Sequence, residues 1–259
     1  MQNRYVGDIG DFGKYLLLKS VSSSFRLGVN WCLVEDETNN NDGKFIDYLN
    51  DDSKCNEYKA LDFNLYDALK AIVKNNQRHI SSIKKSKVLD SKTQFFDDLR
   101  VSPLIDWHNR SLEHLKCSEI IFYDPDNGLE IPSVEIDDSR SRKYLFFKEV
   151  KAAYDAGKSI IIYQHTTRKG TVEKQIINRC QQLTSRVSIP ITNMAVARFC
   201  RRQSRFYLIL SQEKHREKIQ KNLQNFINLL FQNSSDIFKI YECSNHSNSI
   251  KLRLMKYTF

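Results

Sequence analysis

The sequence is short of the residues that break chains apart and of those that staple them together. Only eight Gly and four Pro occur in 259 residues, and no stretch is biased toward a linker or a low-complexity tract. A fibrous or largely flexible chain is thereby excluded. The six cysteines, Cys32, Cys55, Cys117, Cys180, Cys200 and Cys243, are scattered, without a Cys-x-x-Cys pair, and no two histidines stand at ligand spacing. This disfavours both a disulfide framework and a structural zinc site. No apolar run approaches the roughly 20 residues of a membrane helix, and Met-Gln-Asn-Arg-Tyr-Val-Gly-Asp at the start lacks the apolar core of a signal peptide. A cytoplasmic protein with no membrane partner is expected.

What is present is enough apolar residue for a full core, with 41% hydrophobic and 27% charged residues. One domain over residues 1–259 is expected, with a helix and hairpin at 211–259 as a candidate appendage. Charge is placed unevenly. Residues 151–259 hold 19 Lys and Arg against 6 Asp and Glu, a balance of +13, so the net +9 leaves −4 on residues 1–150. The basic half is a candidate surface for phosphates, and a plain solvated surface is its alternative.

The pattern centres on Ser118–Glu130, where the apolar run Ile120–Tyr123 stops at Asp124-Pro125-Asp126-Asn127-Gly128. A buried strand ending in a polar tip is expected there, and in open parallel sheets ligands collect outside the carboxyl ends of the strands. An ordinary turn explains the same Asp-Pro and Asn-Gly residues through backbone preference alone. Near the amino terminus, Gly7, Asp8, Gly10, Asp11 and Gly13 crowd into seven positions ahead of Lys14, Tyr15 and a Leu-rich helical run. Such short residues suit a loop that approaches a ligand closely, with the aspartates capping the helix. A strand over Leu27–Val34 ends in Glu35-Asp36-Glu37 and three asparagines, and a strand over Ser159–His165 ends in Gln-His-Thr-Thr-Arg168.

Further helices are expected over Tyr58–Val73, Phe95–Leu99, Trp107–Leu115, Tyr144–Ala156, Val172–Leu183 and Gln212–Phe231, with a short strand within Lys84–Asp90. Strands over Ile191–Arg198 and Phe206–Leu210 bracket a turn that holds Arg198, Arg201, Arg202 and Arg205, and Ile237–Cys243 with Ser249–Tyr257 reads as a hairpin. Strands separated by helices predict a three-layer α/β fold with a mostly parallel sheet and helices on both faces. If the strand ends are neighbours, Asp124, Asp126, Asn127 and His165 converge on one crevice as catalytic candidates. The arginines, with Arg168, are nucleic-acid candidates.

Gly7-Asp-x-Gly-Asp-x-x-Lys-Tyr15, then a strand ending in Asp124-Pro125 and one ending in Tyr163-Gln-His165, resembles the bacterial ribosomal-RNA adenine-N6 methyltransferase family. The resemblance lies in the order of elements over most of the chain and in about 15 motif positions. It implies a Rossmann-like fold that binds S-adenosylmethionine, with Gly7, Asp8, Gly10, Asp11, Lys14, Tyr15, Glu35 and Asp36 toward the cofactor. Asp124 then takes the position that accepts from the adenine amino group, and DNA or RNA is the partner. Two segments depart from that family. Its glycine-rich cofactor loop is replaced by Glu35–Gly43, and its Asp-Pro-Pro-Tyr by Asp124-Pro-Asp-Asn127, which lacks the aromatic that stacks on the base. The chain is also similar to a bacterial family without an assigned activity, recognised by Tyr-Val-Gly-Asp-Ile-Gly-Asp-Phe-Gly-Lys-Tyr and Asp-Pro-Asp-Asn-Gly-Leu.

Two other classes stay open. Pro125-Asp126 followed by Glu149-Val-Lys151 matches the Pro-Asp…Glu-x-Lys pattern of magnesium-dependent nucleases, although Glu149-Val-Lys lies in a helical pattern where that chemistry takes a strand; Asp124, Asp126, Glu149 and His165 are candidate magnesium ligands in another geometry. A non-catalytic nucleic-acid-binding module would use the basic turn and none of these acids.

Overall fold

The computed structural model describes residues 1–37, 43–50, 52–136, 138–202, 205–246 and 249–257. Helix α1 (Ile9–Val21) starts where the Asp8 carboxylate accepts from the Asp11 amide, as an N-cap should. Strand β1 (Leu27–Asn30) is buried along its whole length, and α2 (Asp52–Lys74), broken at Asp62, and α3 (Ile80–Ser86) lead to β2 (Gln94–Phe96). Helix α4 (Leu104–His114) carries the chain back to β3 (Ile120–Tyr123). A two-stranded ribbon, β4 (Gly128–Leu129) with β5 (Tyr144–Leu145), precedes α5 (Phe147–Asp155), β6 (Ser159–His165) and α6 (Val172–Val187). The chain continues through β7 (Met194–Phe199), β8 (Arg205–Leu210), α7 (Glu213–Gln232), β9 (Phe238–His246) and β10 (Ser249–Leu254).

Eight strands form one mixed sheet in the order β10-β9-β7-β8-β6-β3-β1-β2. Strands β2, β1, β3 and β6 are parallel, while every pairing from β6 outward through β8, β7, β9 and β10 is antiparallel. The parallel expectation therefore holds for half of the sheet. Residues 200–204 are too few for the crossover of a dozen or more residues that parallel neighbours need, so β7 and β8 must run oppositely.

Alternate strand residues enter two separate clusters. Val29, Phe122, Ile161 and Ile209 pack with α1, α2 and α7, whereas Ile121, Ile160, Ile162 and Leu208 pack with Trp107, Val150, Ile176 and Leu183 from α4, α5 and α6. No helix among the described residues is long and apolar enough to cross a membrane.

Several expected elements differ. Phe95–Leu99 is not helical, because Gln94–Phe96 pairs with β1 and a three-residue strand carries too little periodicity to be read. Lys84–Asp90 holds the end of α3 and a left-handed residue, Lys87, instead of a strand. Strand β1 stops at Asn30, four residues early, and Tyr144–Leu145 belongs to the ribbon before α5 begins. Within residues 211–259, β9 pairs with β7 inside the main sheet and α7 packs on α1.

Candidate strand-end site

The chain leaves β1 for β2 on one side and returns to β3 on the other, so the strand order reverses at β1 and β3. Beside that point, at the carboxyl ends of β3 and β6, lies a cavity of about 190 Å³. The amino-terminal segment contributes Asp8, Asp11 and Lys14, the β3 tip contributes Asp124, Asp126 and Asn127, and Tyr163, His165 and Arg205 come from β6 and β8. Three motifs far apart in sequence thus share one wall.

Lys14 is what joins them. Its Nζ donates to Asp11 Oδ1 at 2.7 Å and to Asp124 Oδ2 at 2.6 Å, with all three side chains almost wholly buried. Burial alone would lower the Lys14 pKa, but Asp11 and Asp124 outweigh it and hold the ammonium well above its usual range. Two carboxylates compete for one cation in a dry setting. The Asp11 carboxyl is accordingly pushed up to about 6, chiefly by burial, with Lys14 opposing and Asp8 adding to the rise. The Asp11 carboxylate also accepts from the Gly7 amide at 3.1 Å, which locks the glycine-rich turn onto the helix start.

Asp126 is held differently. The Met1 ammonium lies 2.8 Å from it and Gln2 Nε2 donates to it at 2.5 Å. These contacts keep its carboxyl below the ordinary range although burial pushes the other way. Met1 and Gln2 are themselves buried, and the Met1 ammonium also donates to the Asp124 and Cys32 carbonyls.

Gly10 and Gly13 face different neighbours. A Cβ on Gly10 would stand 1.7 Å from Arg205 Nη1, and one on Gly13 would stand 2.5 Å from the Phe199 ring. A guanidinium on a long stem can swing aside, whereas a packed ring cannot. Gly10→Ala is expected to push Arg205 off the cavity wall and weaken ligand binding with little loss of stability, because alanine gains about 1 kcal/mol of helix propensity. Gly13→Ala is expected to cost about 1–3 kcal/mol by overpacking. Urea unfolding of both variants distinguishes the two, and equal losses would remove Arg205 from the explanation.

The remaining candidates lie elsewhere. Tyr15 is buried against Trp31 with its ring centroid 6.2 Å away, and Gly7 packs on Val73. Glu35 and Asp36 are exposed and outside the cavity wall; Asp36 accepts from the Arg4 amide at 3.4 Å. Thr38–Asp42, part of the same polar tip, lie outside the described residues. Arg198 pairs with Glu173 at 2.7 Å, Arg201 with Glu57 at 2.8 Å and Asp236 at 2.5 Å, and Arg202 with Asp47 at 3.1 Å. Only Arg205 from that turn reaches the cavity; Gln203 and Ser204 lie outside the described residues. Arg168 is exposed on the loop after β6.

Glu149 does not join Asp124 and Asp126. It is buried on α5 against Arg100, 2.7 Å away, and accepts from the Phe146 amide at 2.8 Å. The nuclease pattern therefore does not converge, and no group of three or more His, Cys, Asp or Glu is placed to hold a metal among the described residues.

The expected cofactor, S-adenosylmethionine, does not fit the described residues. Met1 and Gln2 fill the crevice between β1 and β3 where such a ligand would lie. Glu35 and Asp36 do not face the cavity, and about 190 Å³ falls below the roughly 300–1,000 Å³ of sites for drug-sized ligands.

Sequence reasoning missed the aromatic wall of Tyr5, Phe45 and Tyr163. Tyr163 was legible as part of the strand end Tyr-Gln-His, but Phe45 reaches the cavity only through the tertiary fold. Also missed was Gln164, whose Oε1 accepts from Leu129 N at 2.9 Å and whose Nε2 donates to the Asn127 and His165 carbonyls at 3.3 and 3.0 Å. It fixes the turn after Asp124 against the end of β6. No family model, curated protein or solved structure matches the chain.

Proposed function

We propose that this protein acts on nucleic acid, on a three-layer sheet of methyltransferase-like layout, and that its strand-end cavity receives a nucleobase. The meeting of the Gly-Asp-Lys segment with the Asp-Pro tip carries this reading, because Lys14 bridges Asp11 and Asp124 at the cavity floor. Asp124, Asp126 and Asn127 supply acceptors and one amide donor, the groups that read the hydrogen-bonding edge of a base such as adenine. Tyr5, Phe45 and Tyr163 supply flat apolar surface, replacing the stacking aromatic that the tip itself lacks. The cavity is small, which suits a base better than a whole nucleoside-bearing cofactor.

The test is calorimetric titration with a short adenine-containing single strand and, separately, with S-adenosylmethionine. The oligonucleotide is expected to bind, and Tyr163→Ala to weaken it about tenfold, since stacking contributes about 1–3 kcal/mol per base. Binding of S-adenosylmethionine alone would overturn the assignment of the cavity to a base.

A further inference from the structure

The arginines that look most suited to phosphate in the sequence are committed to carboxylates in the fold. Arg198, Arg201 and Arg202 each pair with an acid at 3.1 Å or less. A cation so neutralised gains little from a phosphate, because the new contact replaces an old one. Positive charge without an acidic partner lies instead on segments that adjoin the cavity.

Two segments adjoin residues of the cavity lining without lining it themselves. The turn Ser139–Lys143 is tied to the tip by the Asn127 amide, which donates to the Lys143 carbonyl at 3.0 Å. The loop 166–170 follows His165, a cavity residue, and Gln175 holds it in shape. Gln175 Oε1 accepts from the Thr167 amide at 2.8 Å, and its Nε2 donates to the Thr167 and Lys169 carbonyls at 2.9 and 3.1 Å. Gln164, bonded to the carbonyls of both Asn127 and His165, joins the two sides. Within these segments Arg140 is taken by Asp138 at 2.6 Å and Lys143 by Glu37. Arg142, Arg168 and Lys169 are exposed and have no ion pair among the described residues.

We infer that a single-stranded nucleic acid reaches the cavity across this rim, with Arg142, Arg168 and Lys169 on its phosphates, and does not use the turn at 198–205 as its track. The inference rests on the nucleic-acid reading above and names the surface that the reading requires. The rim's loops are buckled by side-chain hydrogen bonds, so ordering them costs little on binding, and arginine matches phosphate oxygens bidentately. The segments that carry these side chains adjoin the cavity residues Asn127 and His165, which couples backbone positioning to base recognition.

Fluorescence anisotropy with a labelled single-stranded deoxyoligonucleotide, titrated with salt, tests the inference on three proteins: the wild type, R142A/R168A/K169A and R201A/R202A. Each lost phosphate contact removes about 0.7 from the slope of log K against log salt, so the triple variant is expected to flatten it by about 2. R201A/R202A is expected to keep the wild-type slope and to melt at a lower temperature. A triple variant with the wild-type slope, or a double variant that loses it, overturns the rim and leaves the nucleic-acid reading standing. A wild type without salt-dependent binding removes the reading and the rim together.

Discussion

Replacing Glu149 with alanine is expected to lower stability by about 3–5 kcal/mol, the loss typical of removing one partner of a buried ion pair. Arg100 and Glu149 are almost without exposure, and Arg100 Nη2 donates to both carboxylate oxygens at 2.9 and 2.7 Å. The guanidinium also lies 4.5 Å from the Trp107 ring centre, and its Nε and Nη1 have no hydrogen-bond partner among the described atoms. Without Glu149 a cation would stay in the core with little more than the Tyr144 carbonyl, 3.0 Å away, to hold it. The first turn of α5 would lose the acceptor for the Phe146 amide as well. Such a loss is a large share of the roughly 5–15 kcal/mol that holds a typical domain together, and corresponds to a melting point lower by roughly 10 °C. Urea unfolding measures it directly. Glu149→Leu combined with Arg100→Met should recover most of the loss, because two apolar side chains leave no charge to solvate. A single-variant loss below about 1 kcal/mol would contradict the account of Arg100 as a cation with one essential partner.

The buried pair shows where sequence reading stops. Ile120–Tyr123 and Ser159–His165 form strands with the bounds expected, because apolar runs with polar ends report burial and direction together. The meeting of the Asp-Pro tip with His165 is legible for the same reason, and the Gly-Asp segment is legible through its crowding of short residues. Glu-Val-Lys is a local pattern that suggests a metal ligand at Glu149, whereas the partner of Glu149, Arg100, is 49 residues away and follows a three-residue strand. The basic turn was read as a phosphate surface because its arginines crowd together. Among their partners, Glu57 of Arg201 and Asp47 of Arg202 stand 144 and 155 positions away, and no local signal announces a contact at that separation. Met1 and Gln2 were likewise read only as the absence of a signal peptide. Their burial across β1 and β3 comes from contacts with Asp124, Asp126 and Glu37, and it decides what the switch-point crevice can accept.

Replacing Lys14 with methionine keeps most of the apolar stem and removes the cation that joins the two halves of the site. Asp11 and Asp124 would then face each other in a dry setting without the ammonium that lies 2.7 and 2.6 Å from them. At about pH 8 the expected loss is about 3–5 kcal/mol, since two buried carboxylates lose their cation. The loss should shrink on acidification. In the wild type the folded Asp11 carboxyl titrates at about 6, above its ordinary 3.8, so between those values the native chain binds more protons than the unfolded one. This group alone makes stability fall as pH rises through that window. Without Lys14 the pull that opposes the rise of the Asp11 carboxyl is gone, so the acid-side gain becomes larger. The alkaline side changes in the opposite sense. Lys14 has a raised pKa, so its contribution is full below its ordinary 10.5 and is lost as pH rises through the folded value; the variant has no such loss to show. Urea midpoints of wild type and variant at about pH 5, 6.5 and 8 measure the difference. A penalty of equal size at every pH would mean that Lys14 acts through the packing of its stem, and Asp11 and Asp124 would then need no shared cation to stay together at the cavity floor.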